Sequence, residues 1–202
     1  MKINFLGDSI TEGVGASIHE ETYTYLVCKY FGAEECNFGI SGTRIAAQRG
    51  PSLQDDWDEQ FIVRAKRMGE ADFTFVFGGT NDFGHGDAIL GKCGDKSQYT
   101  FYGAFLYLAN YLKEKFGKKL CFILPIPRFD QNDAHKEIPG EPLEKYIEAE
   151  KTILNGLHIE YLDLKDAFPK EIFSWTVDGV HPSPYGYKIL ANNVIEYLKK
   201  RL

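Results

Sequence analysis

The chain has 202 residues, 44% apolar and 14% aromatic, enough to bury a core; with 26% charged residues, this excludes a disordered polymer and marks a globular protein. Lysine and arginine number 23 against 29 acidic residues, and the net charge of −6 disfavours nucleic acid and anionic membrane as partners, leaving a small molecule as the expectation. No apolar run approaches the roughly 18 residues that a membrane helix requires, and Cys28, Cys36, Cys93 and Cys121 show neither C-x-x-C pairing nor metal-like spacing with the histidines, so no metal site is expected.

The first apolar run, Ile3 to Leu6, reads as a buried strand and passes directly into GDSIT. Ser9 then stands where strand gives way to helix or loop. Its hydroxyl can face a crevice as a nucleophile, although a helix N-cap uses the same residue type. Because this strand begins at Lys2, a cleaved leader would destroy the fold, and a cytoplasmic location is expected. A helix-like segment near 20–31 follows, then a strand from Glu35 to Phe38 that ends in NFGISGTR. Gly39 and Gly42 there allow backbone N–H groups to approach a ligand, or simply make a tight turn.

Another helix-like segment, 53–68, precedes an aromatic strand from Phe73 to Phe77 that ends in GGTND. The Asn81 amide can donate to a developing oxyanion or close the strand with an Asx-turn. Residues 83–97, rich in glycine and charge, read as a polar lid or a solvated loop. Next come a helix near 99–116, a strand from Leu120 to Leu124 and a long loop marked by Pro125, Pro127, Pro139 and Pro142. A helix at 143–156, a strand from Ile159 to Leu162 and a last helix at 184–202 complete the pattern.

Before that last helix lies DGVHP. Asp178 and His181 are three residues apart on a turn, so the carboxylate can reach one ring nitrogen while the other faces outward, and Pro182 helps fix the backbone. A solvent-exposed D-x-x-H is otherwise unremarkable. Alternation of β and α elements implies a five-stranded parallel sheet in a three-layer α/β/α sandwich, flavodoxin-like, with residues 1–202 as one domain. Ligands of such sheets bind beyond the carboxyl ends of the strands, which is where all four unusual stretches fall.

The ordered blocks GDS, a glycine loop, G-x-N-D and D-x-x-H-P resemble the GDSL esterase and lipase family, the SGNH hydrolases, over residues 7–182; Ile10 stands where that motif has leucine. The resemblance implies Ser9 as nucleophile, His181 as general base, Asp178 as its orienter, and the Ser9 N–H, the Gly42 N–H and Asn81 as oxyanion hole. Gly39, three residues earlier, competes with Gly42 for that role. The expected chemistry is hydrolysis of a small acyl ester through an acyl-Ser9 intermediate, with no cofactor or metal. Because the base must be neutral, activity should rise between pH 5 and 8.

The resemblance covers carbohydrate esterases, lysophospholipases and thioesterases alike. Tyr99, Phe101, Tyr102 and Trp175 suggest stacking on a sugar, which favours a carbohydrate O-acetylesterase, although aromatics at helical spacing also fill cores. Arg44 and Arg128 could recognise an acidic portion of the substrate, but surface ion pairing is the commoner fate of an arginine, and neither is given a role. An α/β-hydrolase would carry G-x-S-x-G well inside the chain. The near phosphate loop GDAILGKC at 86–93 lacks its final hydroxyl and a preceding strand. A flavodoxin-like phosphate binder would suffer from Asp8 and Glu12, while a non-catalytic sugar-binding protein of the same fold stays open.

Overall fold

The computed structural model describes residues 1–52, 55–132 and 141–202. Strands β1 (Lys2–Gly7), β2 (Glu34–Gly39), β3 (Phe73–Phe77), β4 (Leu120–Ile123) and β5 (Glu160–Leu162) form one parallel sheet in the order β2-β1-β3-β4-β5. Each lies within a residue or so of its predicted span. Gly7 pairs with Gly39 on one side and Phe77 on the other, so β1, β2 and β3 end level with one another.

Parallel strands buried on both faces are apolar throughout, and the pleat sends alternate residues to opposite cores. Ile3 and Phe5 of β1, Phe75 and Phe77 of β3, and Cys121 and Ile123 of β4 pack beneath α2 (Tyr23–Phe31) and α7 (Pro184–Lys199). Leu6, Val76 and Phe122 face the other way, toward α3 (Phe61–Arg67), α5 (Phe101–Phe116) and α6 (Leu143–Gly156). The sheet is thus the middle of three layers.

Two short helices escape the sequence reading: α1 (Ser9–Glu12) and α4 (Thr80–Gly84). Four and five residues are too few to show a 3.6-residue period. The segment foreseen near 20–31 divides into a 3-10 turn, His19–Glu21, and α2, because the Thr22 hydroxyl accepts the Tyr25 N–H at 3.3 Å and starts a new helix. The 53–68 segment likewise divides into a 3-10 turn, Asp55–Asp58, and α3; its first two residues, with Pro139 of the proline loop, lie outside the described residues.

Residues 83–97 are pinned to the body. Phe83 is buried, Asp87 accepts the N–H groups of Arg49 (2.8 Å) and Gly50 (3.0 Å), and the Phe101 N–H donates to the Ile89 carbonyl at 3.0 Å. These ties suit a surface loop better than a lid. Within it, Gly86 follows α4 rather than a strand, and no helix begins at Cys93. Among the described residues no helix is long and apolar enough to cross a membrane.

Candidate active site

β1 ends at Gly7 and the chain turns at once into α1. Asp8 is the N-cap: its Oδ1 accepts the Ile10 N–H at 3.0 Å. The capping role belongs to Asp8, which leaves the Ser9 hydroxyl to other work. Burial pushes the Asp8 carboxyl up to about 6, against the pull of the Ile10 N–H, His181 and Arg64.

The Ser9 Oγ lies 2.9 Å from His181 Nε2. Behind the ring, Asp178 Oδ2 is 2.6 Å from Nδ1, while Asp178 Oδ1 accepts the N–H groups of Val180 (2.9 Å) and His181 (2.8 Å). Burial works to raise the Asp178 carboxyl, but the His181 ring and these backbone donors outweigh it and hold it below its ordinary value. The turn closes on itself through Val177 N–H to His181 O (2.9 Å), with Gly179 at φ +88° supplying the left-handed residue it needs. Tyr187 of α7 then donates to the carbonyls of Ile10 (3.1 Å) or Val14 (2.7 Å), fixing α1 against the helix that follows His181.

The Ser9 N–H opens α1 and so has no intrahelical acceptor. Among the described residues neither it nor the Gly42 N–H meets a protein acceptor. Gly39 differs, because its N–H donates to Asn37 Oδ1 at 2.8 Å. Its missing side chain serves packing instead: a Cβ would come within 2.3 Å of the Glu12 backbone nitrogen. Gly42 has φ +74°, and a Cβ there would strike the Trp57 indole at 2.4 Å. Asn81 sits in α4 and makes no Asx-turn; its Nδ2 donates to the Thr43 carbonyl at 3.0 Å, with a second hydrogen to spare.

Two side chains that fasten this edge were not foreseen. Arg64, buried on α3, donates through Nη1 to the carbonyls of Gly7 (2.6 Å) and Phe38 (2.5 Å) and through Nη2 to the Thr43 hydroxyl (2.6 Å). It therefore joins the ends of β1 and β2 to the loop that carries Gly42, and burial lowers its pKa to about 10. Asp82 accepts the N–H groups of Ile45 (3.0 Å) and Ala46 (2.8 Å), clamping the same loop to α4; burial raises its carboxyl to about 6. A cation among Phe61, Ile62 and Ala65 on a helix's apolar face was the available signal for Arg64.

Of the aromatics expected to border the crevice, Phe101 and Trp175 are fully buried, and the Trp175 indole donates to the Pro169 carbonyl at 3.0 Å. They are core. Tyr102 packs partly against that core and Tyr99 stays exposed. Arg44 and Arg128 are paired internally, with Asp58 at 2.9 Å and with Asp130 at 2.5 Å.

The profile of the GDSL-like lipase/acylhydrolase family matches residues 5–189. Among solved structures, a protein from Lactobacillus plantarum is similar at TM-score 0.82 and 27% identity, over 100% of this chain and 97% of the other. The lipase/acylhydrolase of Enterococcus faecalis has a TM-score of 0.64 at 18% identity, over 100% and 96% of the two chains. A member of the lipolytic G-D-S-L family from Veillonella parvula has a TM-score of 0.64 at 17% identity, over 97% of each; these two likenesses speak for the fold. A curated relative, N-acylneuraminate cytidylyltransferase of Escherichia coli O18:K1:H7, is 24% identical over 164 residues, 81% of this chain; the match spans about a third, 35%, of that protein.

Proposed function

Because the chain belongs to the GDSL-like lipase/acylhydrolase family, we propose that it is a serine ester hydrolase that cleaves small acyl esters through an acyl-Ser9 intermediate, with O-acetylated carbohydrate as its substrate class. The observation that carries this reading is the continuous path from Asp178 through His181 to Ser9, with links of 2.6 and 2.9 Å.

In the first half-reaction His181 Nε2 takes the hydroxyl proton as Ser9 Oγ bonds to the ester carbonyl carbon, and the carbonyl π pair moves to oxygen. The Ser9 N–H, the Gly42 N–H and the Asn81 amide receive that negative charge. Collapse restores the carbonyl and breaks the bond to the alkoxide, which leaves with the proton held by His181. Water then attacks the acyl-serine with the same base, and the carboxylic acid departs. Asp178 keeps the ring oriented and stabilises its cationic form.

A short acyl group suits the surroundings. The Trp57 indole narrows the space at Gly42, and Trp57 also borders a cavity of about 320 Å³ together with Arg44, Gln48, Pro51 and Asp87. The Escherichia coli relative is named for an acylated sugar acid, which agrees with a carbohydrate reading. The test is a set of initial rates on p-nitrophenyl acetate, butyrate and octanoate, then on acetylated sugars, for wild type and Ser9→Ala. Wild type should prefer acetyl, and Ser9→Ala should lose at least about 10³-fold in kcat. Undiminished turnover by Ser9→Ala would end this proposal.

A further inference from the structure

The reaction divides an ester in two. Its carbonyl oxygen must meet the donors of Ser9, Gly42 and Asn81, whereas the leaving oxygen must come within hydrogen-bond reach of His181 Nε2, which protonates it. Side chains seated on the His181 turn are therefore the ones to test as the border of the alcohol portion.

The loop that leaves β4 reaches that turn. It is tied to both segments that carry site residues: Arg128 Nη1 donates to the Thr80 carbonyl at 3.1 Å, beside Asn81, and the next residue, Phe129, donates its N–H to the Gly179 carbonyl at 3.0 Å. The Phe129 side chain lies on Gly179, where a Cβ would come within 2.8 Å of ring carbon Cδ1. Phe173 belongs to the 3-10 turn Ile172–Ser174 that leads toward the same segment, and its ring centroid is 6.3 Å from that of Phe129 at an interplanar angle of 44°. Both rings stand in water, Phe129 57% and Phe173 67% exposed. Large apolar side chains left exposed together at the rim of a reactive site mark a place where something binds.

We propose that Phe129 and Phe173 form the subsite for the alcohol portion of the ester, and that this portion is a sugar ring whose C–H face lies against the aromatic rings. The proposal rests on the roles given above to Ser9 and His181. A long alkyl chain would call for an enclosed apolar groove, whereas these rings are open to solvent and flanked by the Arg128–Asp130 ion pair. Such a setting suits a ligand that is apolar on one face and hydrated on the other. It also answers the misplaced expectation for Phe101 and Trp175: aromatic rings for stacking are present, but on the segments that flank the imidazole.

The test compares two esters with one acyl group, an O-acetylated methyl glycoside and ethyl acetate, in wild type, Phe129→Ala, Phe173→Ala and Phe129→Trp. The ratio of kcat/KM for the glycoside over ethyl acetate should fall roughly two- to tenfold in each alanine variant, through KM, and recover in Phe129→Trp. Phe173 does not itself touch Gly179, where the nearest atoms are those of Phe129, so its variant separates stacking from disturbance of the turn. In Ser9→Ala, calorimetric titration with the acetylated glycoside reads the subsite without turnover, and adding Phe129→Ala or Phe173→Ala should weaken binding by the same factor. Unchanged ratios and unchanged binding overturn the subsite while leaving ester hydrolysis intact. Full turnover by Ser9→Ala would instead strike the reading beneath it.

Discussion

Replacing Arg64 by methionine removes one buried cation from beneath three segments of the site. The Gly7 and Phe38 carbonyls and the Thr43 hydroxyl each lose a charged donor, and a hydrogen bond to a charged group contributes about 1.5–3 kcal/mol. Working the other way, methionine relieves the desolvation that lowers the Arg64 pKa from 12.5 to about 10, an offset of about 3 kcal/mol. The expected net loss is about 3 kcal/mol. With an unfolding entropy near 2.1 cal/mol/K per residue, a chain of 202 residues should melt about 7 °C lower. Differential scanning calorimetry at pH 7 reads this directly, with Arg64→Lys as an intermediate because a point charge cannot span three acceptors as a planar guanidinium does. Turnover of p-nitrophenyl acetate should fall as well, since the Gly42 loop loses a tether. A Tm within about 2 °C of wild type would refute the clamp.

Asn81→Ala should lower kcat by about 10² to 10³ while changing KM far less, because its amide contributes most once the oxyanion exists; steady-state kinetics would contradict the role if KM carried the loss. Asp8 and Asp82 have carboxyls raised from 3.8 to about 6, so the folded protein holds their protons more tightly than the unfolded chain. Their stabilisation is complete below about pH 4 and is lost as pH climbs through 6, about 3 kcal/mol for each group. Asp82→Asn, which does not titrate, should therefore show a smaller fall in Tm between pH 4.5 and 7.5, and parallel pH curves for variant and wild type would rule this out. Glu150 is buried with Oε1 unpartnered among the described residues, and burial raises its carboxyl well above the usual range. Glu150→Met should raise Tm, more at pH 8 than at pH 5, because the unfolded chain releases this proton more readily than the folded one; a lowered Tm at pH 8 would show that the carboxyl holds something in place.

The strands were legible because burial on both faces leaves short unbroken apolar runs, as in Phe73–Phe77. The four blocks were legible for a related reason: glycine, serine, asparagine and histidine at strand ends interrupt a hydrophobic text. What stayed hidden was either shorter than a period, as α1 and α4 are, or dependent on which face a residue takes. Phe101 and Trp175 look the same in sequence whether they line a crevice or fill a core, and only the packing of α5 and of the Trp175 indole decides. Arg64 and Asp82 serve groups 21 or more positions away along the chain, a pairing that no local pattern encodes.

Ser9 and His181 stand 172 positions apart. Synthesis runs N-terminus first at roughly 5–20 residues per second, so the hydroxyl leaves the ribosome some 10 to 30 seconds before the imidazole exists. On the proposed mechanism a half-made chain attacks no ester. Drawing the two ends together also closes a very large loop, at an entropic cost of about 4–5 kcal/mol, so recovered turnover should be among the last signals to return when the denatured protein refolds.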